Sequence, residues 1–525
     1  MNTWPVLLLL LGIAVVLAWG ARLVRIPIPV ALVIGGLGIA FVPNLPIIEI
    51  DPHLILVLVL PPLLFRAAVF TPWRDFWAHI RPISMLAIGL VVATTGVVAV
   101  AAEALIPGLG WGAAFVLGAI ISPPDAVAST AVFSRLRLNR RVVTIVEGES
   151  LVNDATGLVI YKFAVAAVVT GSFSFGGATL EFLIVAAGGI AMGVVLGYLF
   201  ILVNRRIDDP LIEIALSILF SYAVYLAAEY AHVSGVLAVV AAGLVRGWHA
   251  PEVFTAQTRI QAAAVWDTLD FLLNGFVFIL IGLELKKVFI GLTGYGWWEL
   301  LGYGLAITAV AIVVRIAWVF PSAYLPRLLS ARVRAREAPP GWRSLTIVGW
   351  CGMRGIVSLA AALALPYATE AENAFPGRDL VIFLTFVVIM VTLVFQGLTL
   401  APLIRWLGVG ETAQLVEEEH LARLKIAYAA IEEIDRKALA ESVRPDVIDS
   451  VRGEYAARLK QERLVGVTAG GLDDTTRALR LAAVTAERRR LLKLHRERQI
   501  GDEVLRRIQH ELDIEELRLE PSGER

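Results

Sequence analysis

The chain has 525 residues, 58% of them hydrophobic and 18% charged, with a mean hydropathy of +0.75. A soluble globular domain of this length does not reach such a value, so a soluble single-core enzyme is excluded and a polytopic membrane protein is expected. The 46 basic and 46 acidic residues cancel and point to no nucleic-acid partner, while the single Cys351 excludes a disulfide framework and a multi-cysteine metal site.

Runs of roughly 17 to 25 apolar residues, the length that crosses a bilayer, recur about thirteen times. The first three cover residues 4–23, 28–43 and 53–70. No basic segment precedes the first and no small-residue cleavage pattern follows it, so it reads as a retained span and not as a signal peptide. The fourth covers 83–105. The fifth, 110–134, contains AIISPPDAVAS. Pro123 and Pro124 lack the N–H groups that would bond the carbonyls of Ala119 and Ile120, so a helix opens there and leaves backbone oxygens at membrane depth. Such backbone is tolerated only where protein buries it or a watery cavity reaches it. Asp125 follows at once, placed either to cap the second half-helix or to help hold a cation.

The sixth span, 142–170, contains GESLVNDATGLV. Ionisable side chains inside a membrane cost roughly 2.5 to 3.5 kcal/mol each on insertion scales, so their presence marks function. Ser150 and Asp154 stand one helical turn apart on one face with Asn153 beside them. That face offers a hydroxyl, an amide carbonyl and a carboxylate, hard oxygen donors suited to a small dehydrated alkali cation and not to a transition metal.

Spans at 178–203, 211–230, 233–247, 262–285 and 297–325 follow. The twelfth, 342–368, contains GWCGMRGIVSLAAALALP, where Gly349, Gly352 and Gly355 loosen the helix around Arg354; the last covers 378–407. Two interrupted spans, one in each half, predict an inverted repeat with crossed half-helices, the way secondary transporters build a midplane site. Arg354 needs an anion, and Glu149, which points away from Asp154, is the expected partner. Arg315 in AIVVRIAWVF either neutralises a core carboxylate or packs at an interface. Glu213 and Asn274 are expected as plain helix contacts, and Lys162 to meet lipid or Glu181. Trp4, Trp73, Trp77, Trp297 and Trp298 read as interfacial anchors.

Basic residues fall in every second loop: Arg22 and Arg25; Arg66, Arg74 and Arg81; Arg135, Arg137, Arg140 and Arg141; Arg205 and Arg206; Arg246 and Arg259; Arg327 to Arg336. Glu49, Asp51, Glu103, Glu181, Glu229, Glu370 and Glu372 occupy the others, with Lys286 and Lys287 as an exception expected to snorkel. The positive-inside rule then places the N-terminus outside and the C-terminus in the cytoplasm. Charge is sparse before residue 410 and dense after it, which divides the chain into a transmembrane domain, 1–410, and a cytoplasmic helical tail, 411–525. LARLKIAYAAIEEIDRKAL and TTRALRLAAVTAERRRLLKLHRERQ in that tail repeat apolar residues at helical spacing.

Taken together, GESLVNDATGLV, SPPDAVAS, GWCGMRGIVSLA and FLLNGFVFILIGLEL resemble the signatures of the sodium/proton exchangers in the cation/proton antiporter superfamily, electroneutral bacterial branch, across essentially the whole chain to residue 410. The resemblance implies an all-α polytopic fold with a mobile core and a dimerisation domain, working as a homodimer in the lipid of the inner (plasma) membrane to regulate intracellular pH and sodium. It implies Asp154 as the cation and proton carrier, Ser150 as a cation ligand, Asn153 as the neutral neighbour of the electroneutral type, Asp125 as a support through water, and Glu149 with Arg354 as the core ion pair. Relatives commonly carry Thr before the aspartate; this chain has Pro124, whose carbonyl can still face the cation. No cofactor is expected, since Na+ and H+ are the transported substrates. A K+/H+ exchanger of the same architecture is the nearest alternative. An intramembrane aspartyl protease built on Asp125 and Asp154 is remote, because neither residue has that class's Tyr-Asp or Gly-x-Gly-Asp setting. A sensor with the tail as output is a third reading.

Overall fold

Segments with no water to bond their backbone close their hydrogen bonds internally, and in this chain they do so as helices. The computed structural model describes residues 4–409 except 25–27, 41–51, 137, 172–174, 208, 293, 337–338, 340 and 370–372, together with short stretches between 424 and 514. The helices are α1 (Trp4–Val24), α2 (Ile28–Ala40), α3 (Pro52–Phe70), α4 (Trp73–Ala78), α5 (Ile80–Ser84), α6 (Val91–Leu105), α7 (Trp111–Ile121), α8 (Val127–Leu136), α9 (Arg140–Thr170) and α10 (Phe175–Asn204). After these come α11 (Pro210–Tyr230), α12 (Gly235–Val253), α13 (Ala256–Gly291), α14 (Trp297–Leu329), α15 (Ala331–Arg336), α16 (Trp342–Trp350), α17 (Ile356–Leu363), α18 (Arg378–Val391) and α19 (Gly397–Leu407). π-Helical turns at Met85–Leu90 and Thr392–Gln396 join α5 to α6 and α18 to α19, so each pair runs as one long rod. Among the described residues, seven helices are long and apolar enough to cross a membrane, and shorter apolar helices such as Trp111–Ile121 and Gly235–Ala250 lie between them.

Two units are distinct, Met1–Val409 and Gly410–Arg525. In the second, the described residues are helical over 428–436 and carry surface ion pairs such as Arg436 with Glu433 and Arg452 with Asp435. Most of TTRALRLAAVTAERRRLLKLHRERQ lies outside the described residues, as do Arg25, Glu49, Asp51, Arg137, Glu370, Glu372 and the side chains of Trp4, Arg135, Glu181, Lys286 and Lys287.

The first unit packs as two bundles. α5 to α9, α14 and α16 to α19 form one, and α1 to α3 with α10 to α13 form the other. Lipid tails give no hydrophobic drive between helices, so small residues must bring backbones close. α10 does this with Gly189, Gly193 and Gly197, one turn apart; a Cβ at Gly193 would overlap the Ala238 carbonyl of α12, so the second bundle closes tightly there. A proline pair also occurs inside α3, yet that helix stays unbroken through Pro61 and Pro62. Pro62 cannot serve the Leu58 carbonyl, and the Tyr222 hydroxyl of α11 donates to it instead at 2.9 Å.

Trp297 and Trp298 begin α14 and are exposed, 63% and 86%, and Trp73 packs edge-on against Trp77 and Trp248. Glu213 and Arg246 are buried together between α11 and α12, with the Arg246 guanidinium over the Phe254 ring at 4.5 Å. Asn274 bonds Asp270, which joins Asp267 around Arg66. Both are helix contacts, as the sequence suggested.

Candidate transport centre

The fifth span opens where its prolines demand. Residues 122–126 separate α7 from α8, and the Ser122 hydroxyl folds back to the Ala119 carbonyl at 3.0 Å, taking the acceptor that Pro123 cannot serve. The twelfth span opens over 351–355, between α16 and α17. The two gaps meet directly: the Asp125 N–H donates to the Met353 carbonyl at 2.7 Å. Two broken helices thus satisfy one another's loose backbone where water is scarce.

The helix after each gap completes the repair. Ser150 on α9 accepts the Ala126 N–H at 3.2 Å, and the Asn153 amide donates to the Pro124 carbonyl at 2.9 Å. In the second half the Thr392 hydroxyl accepts the Arg354 N–H at 3.1 Å and donates to Val388 O at 2.8 Å. Each broken helix therefore leans on a hydroxyl of its successor, the correspondence an inverted repeat requires. The spacing corresponds too, because Ser150 precedes Asp154 by one turn and Thr392 precedes Gln396 by one turn; Gln396 is fully buried. Nothing in the sequence had singled out Thr392 or Gln396. A hydroxyl and an amide inside an otherwise apolar run are the signal that could have found them.

Asp154 is buried on the α9 face turned toward the break, near enough to Asp125 for the two charges to act on one another. The Asn153 carbonyl oxygen beside it has no hydrogen-bond partner among the described residues. Gly355 also lies against Asp125, where a Cβ would collide with the carboxylate. Asp125, Ser150, Asn153 and Asp154, with the Pro124 carbonyl, are thus brought together as expected. They present oxygen donors that include two carboxylates, chemistry that fits a small hard cation or a proton.

The expected ion pair is different. Glu149 does not pair with Arg354; it takes a two-pronged contact from Arg315 of α14, Nη1 to Oε1 at 2.5 Å and Nη2 to Oε2 at 2.8 Å, with both side chains 1% exposed. Arg315 also donates to Val348 O from Nε and Nη2 at 3.2 and 3.0 Å. The physical reason is local. Arg354 sits in unwound backbone and turns its Nη1 onto the Gly352 carbonyl at 2.6 Å, whereas Arg315 lies in unbroken helix whose carbonyls are already used and must reach a side-chain anion. Gly352 packs against both guanidinium arms, and Cys351 closes α16, buried beside them. Lys162 pairs with Glu229 of α11, while the side chain of Glu181, its other candidate partner, lies outside the described residues.

Residues 7–406 match the family described as "Sodium/hydrogen exchanger, transmembrane". A protein of Mycobacterium tuberculosis named as an uncharacterized Na(+)/H(+) exchanger is 36% identical over 97% of this chain and 97% of its own length. The "Sodium, potassium, lithium and rubidium/H(+) antiporter" of Bacillus pumilus is 34% identical over 93% of this chain and 74% of its own. The solved structure of the sodium proton antiporter MjNhaP1 from Methanocaldococcus jannaschii covers 76% of this chain and 97% of its own at a TM-score of 0.59 and 20% identity, a likeness of fold. With its motifs, its paired broken helices and this match over three quarters of its length, the chain belongs to the sodium/hydrogen exchanger family.

Proposed function

We infer that the protein is a secondary antiporter exchanging Na+ for H+ across the membrane, one for one, with Asp154 holding each in turn. The observation that carries this is a buried carboxylate, Asp154, that has among the described residues no cationic partner such as Glu149 has in Arg315, and that faces the junction of two broken helices whose backbone is already satisfied by Ser150, Asn153 and Met353. The acid is therefore left for a substrate. Formal charges support the stoichiometry: Asp125, Glu149 and Asp154 against Arg315 and Arg354 leave one negative charge in excess. One Na+ or one H+ neutralises the set, and a neutral centre crosses the bilayer far more cheaply than a charged one. Each half-cycle then moves the same charge.

The test is a pH-gradient dequenching assay in proteoliposomes with each alkali chloride in turn. Sodium is expected to release the gradient at a rate that an imposed diffusion potential leaves unchanged; a chain that answers to no alkali cation refutes the reading, and a voltage response refutes the one-for-one exchange. The name of the Bacillus pumilus relative gives lithium, potassium and rubidium as the comparison arms. Because the proton occupies the same oxygens, acidity on the binding side weakens apparent sodium affinity, by up to about tenfold per pH unit once the protonated form of Asp154 prevails. A half-saturation concentration flat across pH would count against one shared site.

Gly355 gives a second handle. Gly355→Ala is expected to displace Asp125 and raise the sodium needed for half-maximal exchange several-fold, while Gly349→Ala, whose methyl would meet Ile316 at an ordinary 3.7 Å, leaves it unchanged. A sodium titration of both variants checks this. The alternating basic loops support a cytoplasmic C-terminus, and the family supports a homodimer in the plasma membrane serving pH and sodium balance, with residues 411–525 as a regulatory appendage.

A further inference from the structure

α9 carries Asp154 and packs in one bundle, chiefly on α7, α5 and the Met85–Leu90 turn, whereas α11 packs on α3, α12 and α13 in the other. Eight residues beyond Asp154, about 12 Å along the helix, Lys162 spans the seam between them. Its ammonium donates to both oxygens of Glu229, at 2.7 and 2.9 Å. Glu229 belongs to the other bundle: it stands in the last turn of α11, close against the start of α12, where a Cβ at Gly235 would meet its Oε1 at 3.0 Å and the Tyr225 ring at 2.8 Å. The carboxylate thus projects from α11 beside the first residue of α12, and the ammonium rides on the carrier helix.

We propose that Lys162 and Glu229 are positioning residues of the exchange cycle, a latch that holds α9 against α11 in the conformation seen and must open for Asp154 to change sides. The proposal rests on the antiporter reading above. Three properties suit a latch and not a static brace. The pair is part-exposed, 52% and 32%, and such ion pairs are individually weak, so one can be made and broken within a turnover. Lys162 lies toward the edge of the hydrocarbon, where a long side chain released from its partner reaches the headgroups without stranding its charge. The contact also joins the helix that bears the substrate to the bundle that does not, so relative movement of the two bundles must change it.

The experiment uses the full chain in proteoliposomes. Lys162→Cys combined with Glu229→Cys is treated with a short bifunctional thiol reagent, and the native chain and each single variant are treated alike. Cross-linking is expected to slow sodium-driven proton exchange at least about tenfold, reversibly with reductant, because it blocks a conformational step. A cross-linked product, verified by mass, that turns over at the untreated rate overturns the latch. Charge reversal supplies an independent arm: Lys162→Glu and Glu229→Lys are each expected to slow exchange, and the two together to return it to within about twofold of the native rate. A swapped protein no faster than the slower single variant also overturns the proposal. Failure of the native chain to exchange sodium would instead sink the antiporter reading.

Discussion

Asp154→Asn leaves a folded protein that exchanges no sodium for protons. Asparagine keeps the size and a carbonyl oxygen, so the face formed with Ser150 and Asn153 persists and the crossing of Asp125 with Met353 is untouched. What disappears is the charge that neutralises the cargo. The empty centre becomes formally neutral, and binding Na+ would give it an uncompensated positive charge at membrane depth, at a cost of about 2.5 to 3.5 kcal/mol. That cost corresponds to roughly a hundredfold loss of the loaded state. The proton half-cycle fares worse, because an amide at physiological pH takes up no proton at all. Dequenching in proteoliposomes measures the transport, and thermal unfolding in detergent, expected near the native midpoint, measures the fold. Sodium-driven proton movement persisting in the purified variant would place the carrier elsewhere.

Arg315→Leu should destabilise the protein more than any other single change at the centre. It strips Glu149, a 1% exposed carboxylate, of both its hydrogen-bonded cationic contacts and frees the Val348 carbonyl as well. Breaking a buried pair by removing one partner costs about 3 to 5 kcal/mol, because the remaining charge stays desolvated. Combining Arg315→Leu with Glu149→Leu is expected to recover most of that loss, since an apolar pair of similar volume needs no solvation. Unfolding midpoints of the two single variants and the double one form a cycle, and strict additivity would show that the contact carries no coupling. The same cycle run with Arg354→Leu should give a much weaker coupling to Glu149, because the Arg354 guanidinium turns its Nη1 to Gly352 O while both Glu149 oxygens are taken by Arg315.

Much of this architecture was readable from the chain because the bilayer imposes rules that sequence must obey. Apolar runs became helices, and the buried polar cluster at Ser150, Asn153 and Asp154 stood out against a background that tolerates few such residues. Boundaries were less legible. The run expected at 262–285 is a helix over Ala256–Gly291, because polar turns prolong it and the Thr255 hydroxyl caps it by accepting the Thr258 N–H at 3.2 Å. Apolarity marks where lipid is, not where helix ends.

Partners were the hardest to read. Pro61–Pro62 and Pro123–Pro124 are the same dipeptide in similar surroundings, yet only the second pair breaks its helix. The difference lies in what other helices bring: Tyr222, 164 positions from Leu58 in sequence, serves the first, and Met353 draws the second open through the Asp125 N–H. Glu149 presented the same difficulty: the sequence points to Arg354 as its partner, and the choice falls to Arg315 because that arginine lies in intact helix. Lys162 found an acid, but one 67 positions onward.

Cys351, shut in at the end of α16 with 1% of its surface exposed, has a practical consequence. A water-borne thiol reagent finds nothing to modify in the native molecule, so a signal from any cysteine placed by design belongs to that cysteine. The wild-type chain is already a silent background on which the opening of either mouth of the pathway can be mapped position by position.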